Sequence, residues 1–82
     1  MVKVILLNLL RSKYSVESEN VKAGTVDFAL VQLFARHPGM QRQDFEAAVL
    51  FVNGVRLDRV NRFQTELHDG DEVVFTHFVG GG

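Results

Sequence analysis

Residues 49–57 read VLFVNGVRL, and residues 67–82 read LHDGDEVVFTHFVGGG. These two stretches decide the fold. Asn53-Gly54 stands between an apolar run, Ala48 to Val52, and the pair Val55 and Leu57. An Asn-Gly pair flanked by apolar strands is the strongest short-range hairpin signal, because both turn positions need positive φ. Downstream, Asp69-Gly70-Asp71 is a turn with glycine at a positive-φ position, and Leu67 just before it is placed to plug the core. Glu72 to Val79 follows as the last strand. Along it Val73, Phe75 and His77 share one face, and Val74, Thr76 and Phe78 the other. Only Gly80, Gly81 and Gly82 come after it.

Upstream of the hairpin, Val26, Ala29, Leu30, Leu33 and Phe34 recur with the spacing of one helical face. Thr25 is placed to cap this helix and Asp27 to complement its dipole. Arg36 and His37 lie at its positive-preferring end, and Pro38-Gly39 stops it. Leu33 and Phe34 are read as core. Met40 to Ala48 predicts a loop with one helical turn around Phe45, and Arg59 to Thr65 an irregular segment or a single turn. At the N-terminus, Val2 to Leu10 predicts a strand apolar on both faces, hence central in its sheet. Arg11 to Ser15 is read as the turn after it, and Val16 to Ala23 as a weaker, hairpin-paired strand. The expected order is β-β-α-β-β-β. It is an α+β arrangement in which the first and last strands pair in parallel at the centre and the helix covers one face.

Composition narrows the function. The chain has 82 residues, 46% of them apolar, with seven Phe, one Pro, no Cys and a formal net charge of −1. It is one domain, and packing alone must stabilise it, with no disulfide and no cysteine-based zinc site. Nucleic-acid binding needs a concentrated cationic face. Here Arg56, Arg59 and Arg62 cluster but Asp58 interrupts them; they are read as a solvated face, the functional alternative being contact with an acidic patch on a partner. His37, His68 and His77 are scattered, so no metal site is expected, and no nucleophile-base arrangement is identifiable. Val4 to Leu10 is far short of the ~20 residues that span a bilayer and lacks a signal-peptide cleavage site. The expectation is a soluble cytoplasmic protein without membrane or nucleic-acid partners.

The Val52-Asn53-Gly54 hairpin, the Leu67…Asp69-Gly70-Asp71-Glu72-Val73 turn and the glycine end resemble the MoaD/ThiS sulfur-carrier family. So does the helix that opens after Gly24-Thr25-Val26. This resemblance covers nearly the whole chain. It departs from the molybdopterin-synthase small subunits in having Thr76-His77-Phe78-Val79 where they commonly carry a proline pair, and three terminal glycines in place of two. It implies a ubiquitin-like β-grasp fold: a mixed four- to five-stranded sheet with one main helix on one face. Residues 1–79 form the domain and residues 80–82 a flexible tail.

The resemblance also implies chemistry. The Gly82 carboxylate is adenylated with ATP by a MoeB/ThiF-like partner, then converted to a thiocarboxylate that donates sulfur. The favoured setting is molybdopterin biosynthesis with a MoaE-like large subunit. The alternatives are a thiamine-type or other carrier, or a ubiquitin-like modifier conjugated through Gly82. The fold binds no cofactor and has no active site of its own, and no G-x-x-x-x-G-K phosphate loop is present in the sequence. Side-chain-free Gly80, Gly81 and Gly82 can thread a narrow channel. Val79 to Gly82 reach roughly 13–14 Å when extended. Val74, Phe78 and Val79 are the expected partner-binding residues; if Val73 and Phe75 face the helix, Val74 and Phe78 lie on the open face of the sheet.

Overall fold

The computed structural model describes residues 1–77. Strand β1 spans Val2–Leu7 and helix α1 Asn8–Tyr14. Strands β2, Ser18–Val21, and β3, Gly24–Thr25, precede helix α2, Val26–Arg36. Helix α3 is Arg42–Ala47, and strands β4 and β5 are Val49–Val52 and Val55–Arg56. A 3-10 turn over Arg62–Gln64 leads to β6, Glu66–Leu67, and β7, Glu72–His77. The main sheet has the order β2-β1-β7-β4-β5, and β3 and β6 form a second, two-stranded sheet. The expected parallel pairing of the first and last strands is present, from Lys3 opposite Glu72 to Leu7 opposite Thr76.

Local chemistry explains most of this. The Thr25 hydroxyl accepts from the Phe28 backbone N–H at 3.1 Å, capping α2 as its sequence predicts. Asn53 and Gly54 have φ of 50° and 81°, the mirror-image turn that matches the twist of the strands it joins. The Asp69-Gly70-Asp71 turn is closed by the Asp71 carboxylate. It accepts from the His68 N–H at 2.8 Å and from the Asn53 side-chain amide at 3.0 Å. Those contacts hold the Asp71 carboxyl below its ordinary range, the His68 N–H contributing most.

The N-terminal strand is shorter than its apolar run. It ends at Leu7, not Leu10, because Asn8 takes φ of 55°. Asparagine tolerates that left-handed conformation better than its apolar neighbours. The chain turns there into α1, with Leu10 buried and Leu9 exposed. The segment around Arg11 expected to turn is therefore helical, and its reversal comes at Ser15, with φ of 56°. The paired part of the second strand shrinks to Ser18–Val21.

The core lies between the main sheet and α2, with Val4, Leu6, Leu30, Leu33, Leu50, Val73 and Phe75 buried. Leu67 is buried as expected, and Phe34 packs against the cluster. Phe45 of α3 is fully buried and meets Phe34 and Phe75 edge-on at 5.3 and 5.2 Å. Truncation of Phe45 to alanine is expected to cost about 3–5 kcal/mol, read as a lower midpoint in chemical denaturation. Phe45→Leu should lose less.

Candidate functional site

The site expected from the sequence is the end of the chain, so its base is the end of β7. The backbone there is gripped on both sides. Thr76 pairs with Val49 of β4, and His77 forms a parallel bridge with Asn8. The Asn8 side-chain amide donates to the buried Thr76 hydroxyl at 2.6 Å. The His77 Nε2 donates to the Asp44 carbonyl of α3 at 2.8 Å. A cavity of about 220 Å³, lined by Leu9, Leu10, Lys13, Asp44 and His77, opens beside this base. Whatever follows His77 departs from a fixed point.

Asp44 anchors that point a second way. Its carboxylate accepts from Lys13 at 2.8 Å and from the Tyr14 hydroxyl, tying α1 to α3. The Lys13 contact, then the Tyr14 contact, hold the Asp44 carboxyl below its ordinary range. On the opposite edge Glu19 is held low in the same way, chiefly by His37 and next by Arg36. His37 at the helix end thus faces a carboxylate at 3.1 Å.

The face of the sheet turned away from α2 is apolar in its middle. Cross-strand register aligns Ser18, Ile5, Val74, Phe51 and Arg56 in one row. The next row aligns Leu7, Thr76 and Val49. Ile5, Leu7, Val74, Val49 and Phe51 are each only partly buried. With Val73 and Phe75 fully buried on the core side, Val74 lies on the open face, as its alternation predicts.

The family model for the ThiS family matches residues 4–82. The chain belongs to the ThiS family. No curated protein matches it. A chain of the Amycolatopsis orientalis BexX/CysO complex is similar in structure, with a TM-score of 0.80 at 22% identity, over 100% of both chains. SAMP1 from Haloferax volcanii aligns with a TM-score of 0.78 at 21% identity, over 99% of this chain and 98% of that one. A chain from the complex of subunits 1 and 2 of the Helicobacter pylori molybdopterin-converting factor gives 0.66 at 21% identity, over 99% and 97%. At these identities the structures speak to the fold, which is the ubiquitin-like β-grasp of this family.

Of the site residues expected from the sequence, Val74 is on the open face, whereas Phe78, Val79, Gly80, Gly81 and Gly82 lie outside the described residues. The sequence reading passed over Asn8, Asp44, Thr76 and His77 as the grip on β7. It also passed over Ile5 and Phe51, which complete the apolar row with Val74. Asn8 was legible in principle, as the polar interruption of an apolar run. The arginines are corrected in part: Arg62 is only 6% exposed, not a solvated side chain. Among the described residues no group of three His, Asp or Glu stands together to hold a metal. No helix among them is long and apolar enough to cross a membrane.

The lowered Asp44 value carries a pH signature. The unfolded chain binds a proton on this carboxyl near its ordinary value of about 4, whereas the folded chain resists it. The Lys13–Asp44–Tyr14 contacts therefore stabilise the fold above that range and lose their effect as pH falls through the lowered folded value. The melting temperature should drop between about pH 5 and pH 3, and Asp44→Asn should flatten that part of the profile. At pH 7 the substitution should cost about 1 kcal/mol or less, because the group is near the surface.

Proposed function

We propose that this chain is a sulfur carrier whose reactive group is the Gly82 carboxylate, at the end of the Gly80-Gly81-Gly82 run. The observation that carries the reading is the ThiS family match running through residue 82, on a chain whose last strand ends in a fixed base. A carboxylate is a poor electrophile, being anionic and resonance-stabilised. In the proposed sequence it attacks the α-phosphorus of ATP on a partner enzyme, releasing pyrophosphate and leaving an acyl-adenylate. Hydrosulfide then displaces AMP, or a persulfide does so and a thiol cleaves the resulting acyl disulfide. Either route leaves a thiocarboxylate, a nucleophile at neutral pH.

The body's part is presentation. Glycines without Cβ can enter a narrow site, and the row Ile5, Val74 and Phe51 offers the partner an apolar surface on the same sheet as the end of β7. Phe78 and Val79 extend that contact in this proposal. The partner is a MoeB/ThiF-like adenylating enzyme. The favoured acceptor is a molybdopterin precursor held by a MoaE-like subunit, in keeping with the long segment between α2 and Asn53-Gly54.

A second reading has an observation in its favour. SAMP1, whose name marks it as a modifier protein in a related solution structure, shares the fold over nearly the whole chain. In that reading the activated Gly82 forms an isopeptide bond with a target lysine.

Intact mass spectrometry of the protein from its own host separates the two. A sulfur carrier gains the mass of one sulfur in place of one oxygen. A modifier appears joined to lysine in larger species, and an unmodified or differently ended chain would sink both. Deleting Gly81 and Gly82 should abolish either product. Val74→Glu should leave the fold intact and weaken adenylation at least tenfold, about 1.4 kcal/mol, measured as pyrophosphate exchange.

A further inference from the structure

Among the described residues, three arginines lack carboxylate partners. Arg11, Arg36 and Arg42 each pair with an acidic side chain: Glu17, Glu19 and Asp27. Arg56, Arg59 and Arg62 pair with none among the described residues. They line one cleft of about 310 Å³ with Val49, Leu57 and Asp58. In a chain of formal net charge −1, this is a local excess of positive charge. Burial disfavours the Arg62 charge first, and the proximity of Arg59 and Arg56 adds to it.

A structural duty explains part of the cluster. Arg62 donates to the Phe45 and Glu46 carbonyls at 3.0 and 2.8 Å, and Arg59 to the Glu46 and Ala47 carbonyls at 2.8 and 3.1 Å. These contacts close the carbonyl end of α3, where positive charge is favoured. They do not explain Arg56, which is exposed and makes no hydrogen bond or ion pair among the described residues. Two of the three arginines thus serve the fold, and Arg56 adds an exposed charge to the same cleft that these contacts do not use.

The position of the cleft indicates what that charge meets. Arg56 ends the row that runs Ile5, Val74, Phe51. Val49, which lines the cleft, pairs with Thr76 at the base of the tail. A protein that receives the tail over the open face therefore meets this cleft at its margin. Carboxylate side chains of the docking protein suit the planar guanidinium forks at that margin.

We propose that the Arg56–Arg59–Arg62 cleft receives carboxylate side chains of the enzyme that activates the C-terminus, steering and orienting its docking. This rests on the proposed function above. The test measures association rates of the full chain with the adenylating enzyme of its own host across a salt series. Arg56→Glu should slow association about tenfold at low salt, with the difference shrinking as salt rises. Arg56→Lys should stay within about twofold of wild type, and so should Lys22→Glu, an equal change of charge at another exposed position. If Arg56→Glu binds like wild type while the enzyme adenylates both, the proposal fails and the sulfur-carrier reading stands. If the enzyme never adenylates the wild type, both fall. A second arm titrates the free protein with inorganic pyrophosphate while following the arginine side-chain N–H resonances. Saturation of Arg56, Arg59 and Arg62 below about 1 mM, some 4 kcal/mol of binding, would reassign the cleft to phosphate and overturn the carboxylate proposal; no saturation supports it.

Discussion

The parallel pairing of β1 with β7 is the constraint on which the rest of the structure depends. It joins the two ends of the described chain in the middle of one sheet, from Lys3–Glu72 to Leu7–Thr76. Strands buried on both sides by neighbours cannot fray independently, and both contribute core residues: Val4 and Leu6 from one, Val73 and Phe75 from the other. Everything between must fold back over that pair. Helix α2 covers its core face, β2 flanks β1, and β4 flanks β7. Pairing of such sequence-distant segments bears the largest loop-closure cost in the fold. The apolar burial at the centre offsets it.

Function follows from the same constraint. A strand at the centre of a sheet ends at a defined place and in a defined direction. Asn8, Val49 and Asp44 fix the end of β7 through a bridge, a strand pair and a side-chain contact. The open face carries an apolar row beside that end, and the cleft of three arginines lies at the margin of the row. In the proposed function the body holds no catalytic group, and its task is to aim a side-chain-free terminus at chemistry supplied by another protein. The lack of a metal cluster among the described residues leaves that task unchanged.

The sequence displayed its local elements because their causes are local. The helix from Val26 shows in the spacing of its apolar residues, its start in Thr25, and its end in Pro38-Gly39. The hairpin shows in Asn53-Gly54, since few other pairs accept positive φ twice. The Asn53-Gly54 hairpin, the Asp69-Gly70-Asp71 turn and the glycine end, in that order, carried the MoaD/ThiS resemblance. The strand ending at Leu7 was misjudged because Leu9 and Leu10 continue the apolar run. Only the left-handed φ of Asn8, secured by its contact with Thr76, reveals that the run is divided between a strand and a helix.

By itself, then, the sequence determined the α+β class, the main helix and the central pair of strands. These follow from periodicity, caps and turn residues, which act over a few positions. Tertiary structure alone decided which distant groups meet. It joined Lys13 and Tyr14 to Asp44, aligned Ile5, Val74 and Phe51 across three strands, and buried Arg62 against the carbonyls of α3 while gathering Arg56 and Arg59 beside it. Such meetings depend on strand register and on the packing of helices. Neither is encoded at any single stretch of the chain.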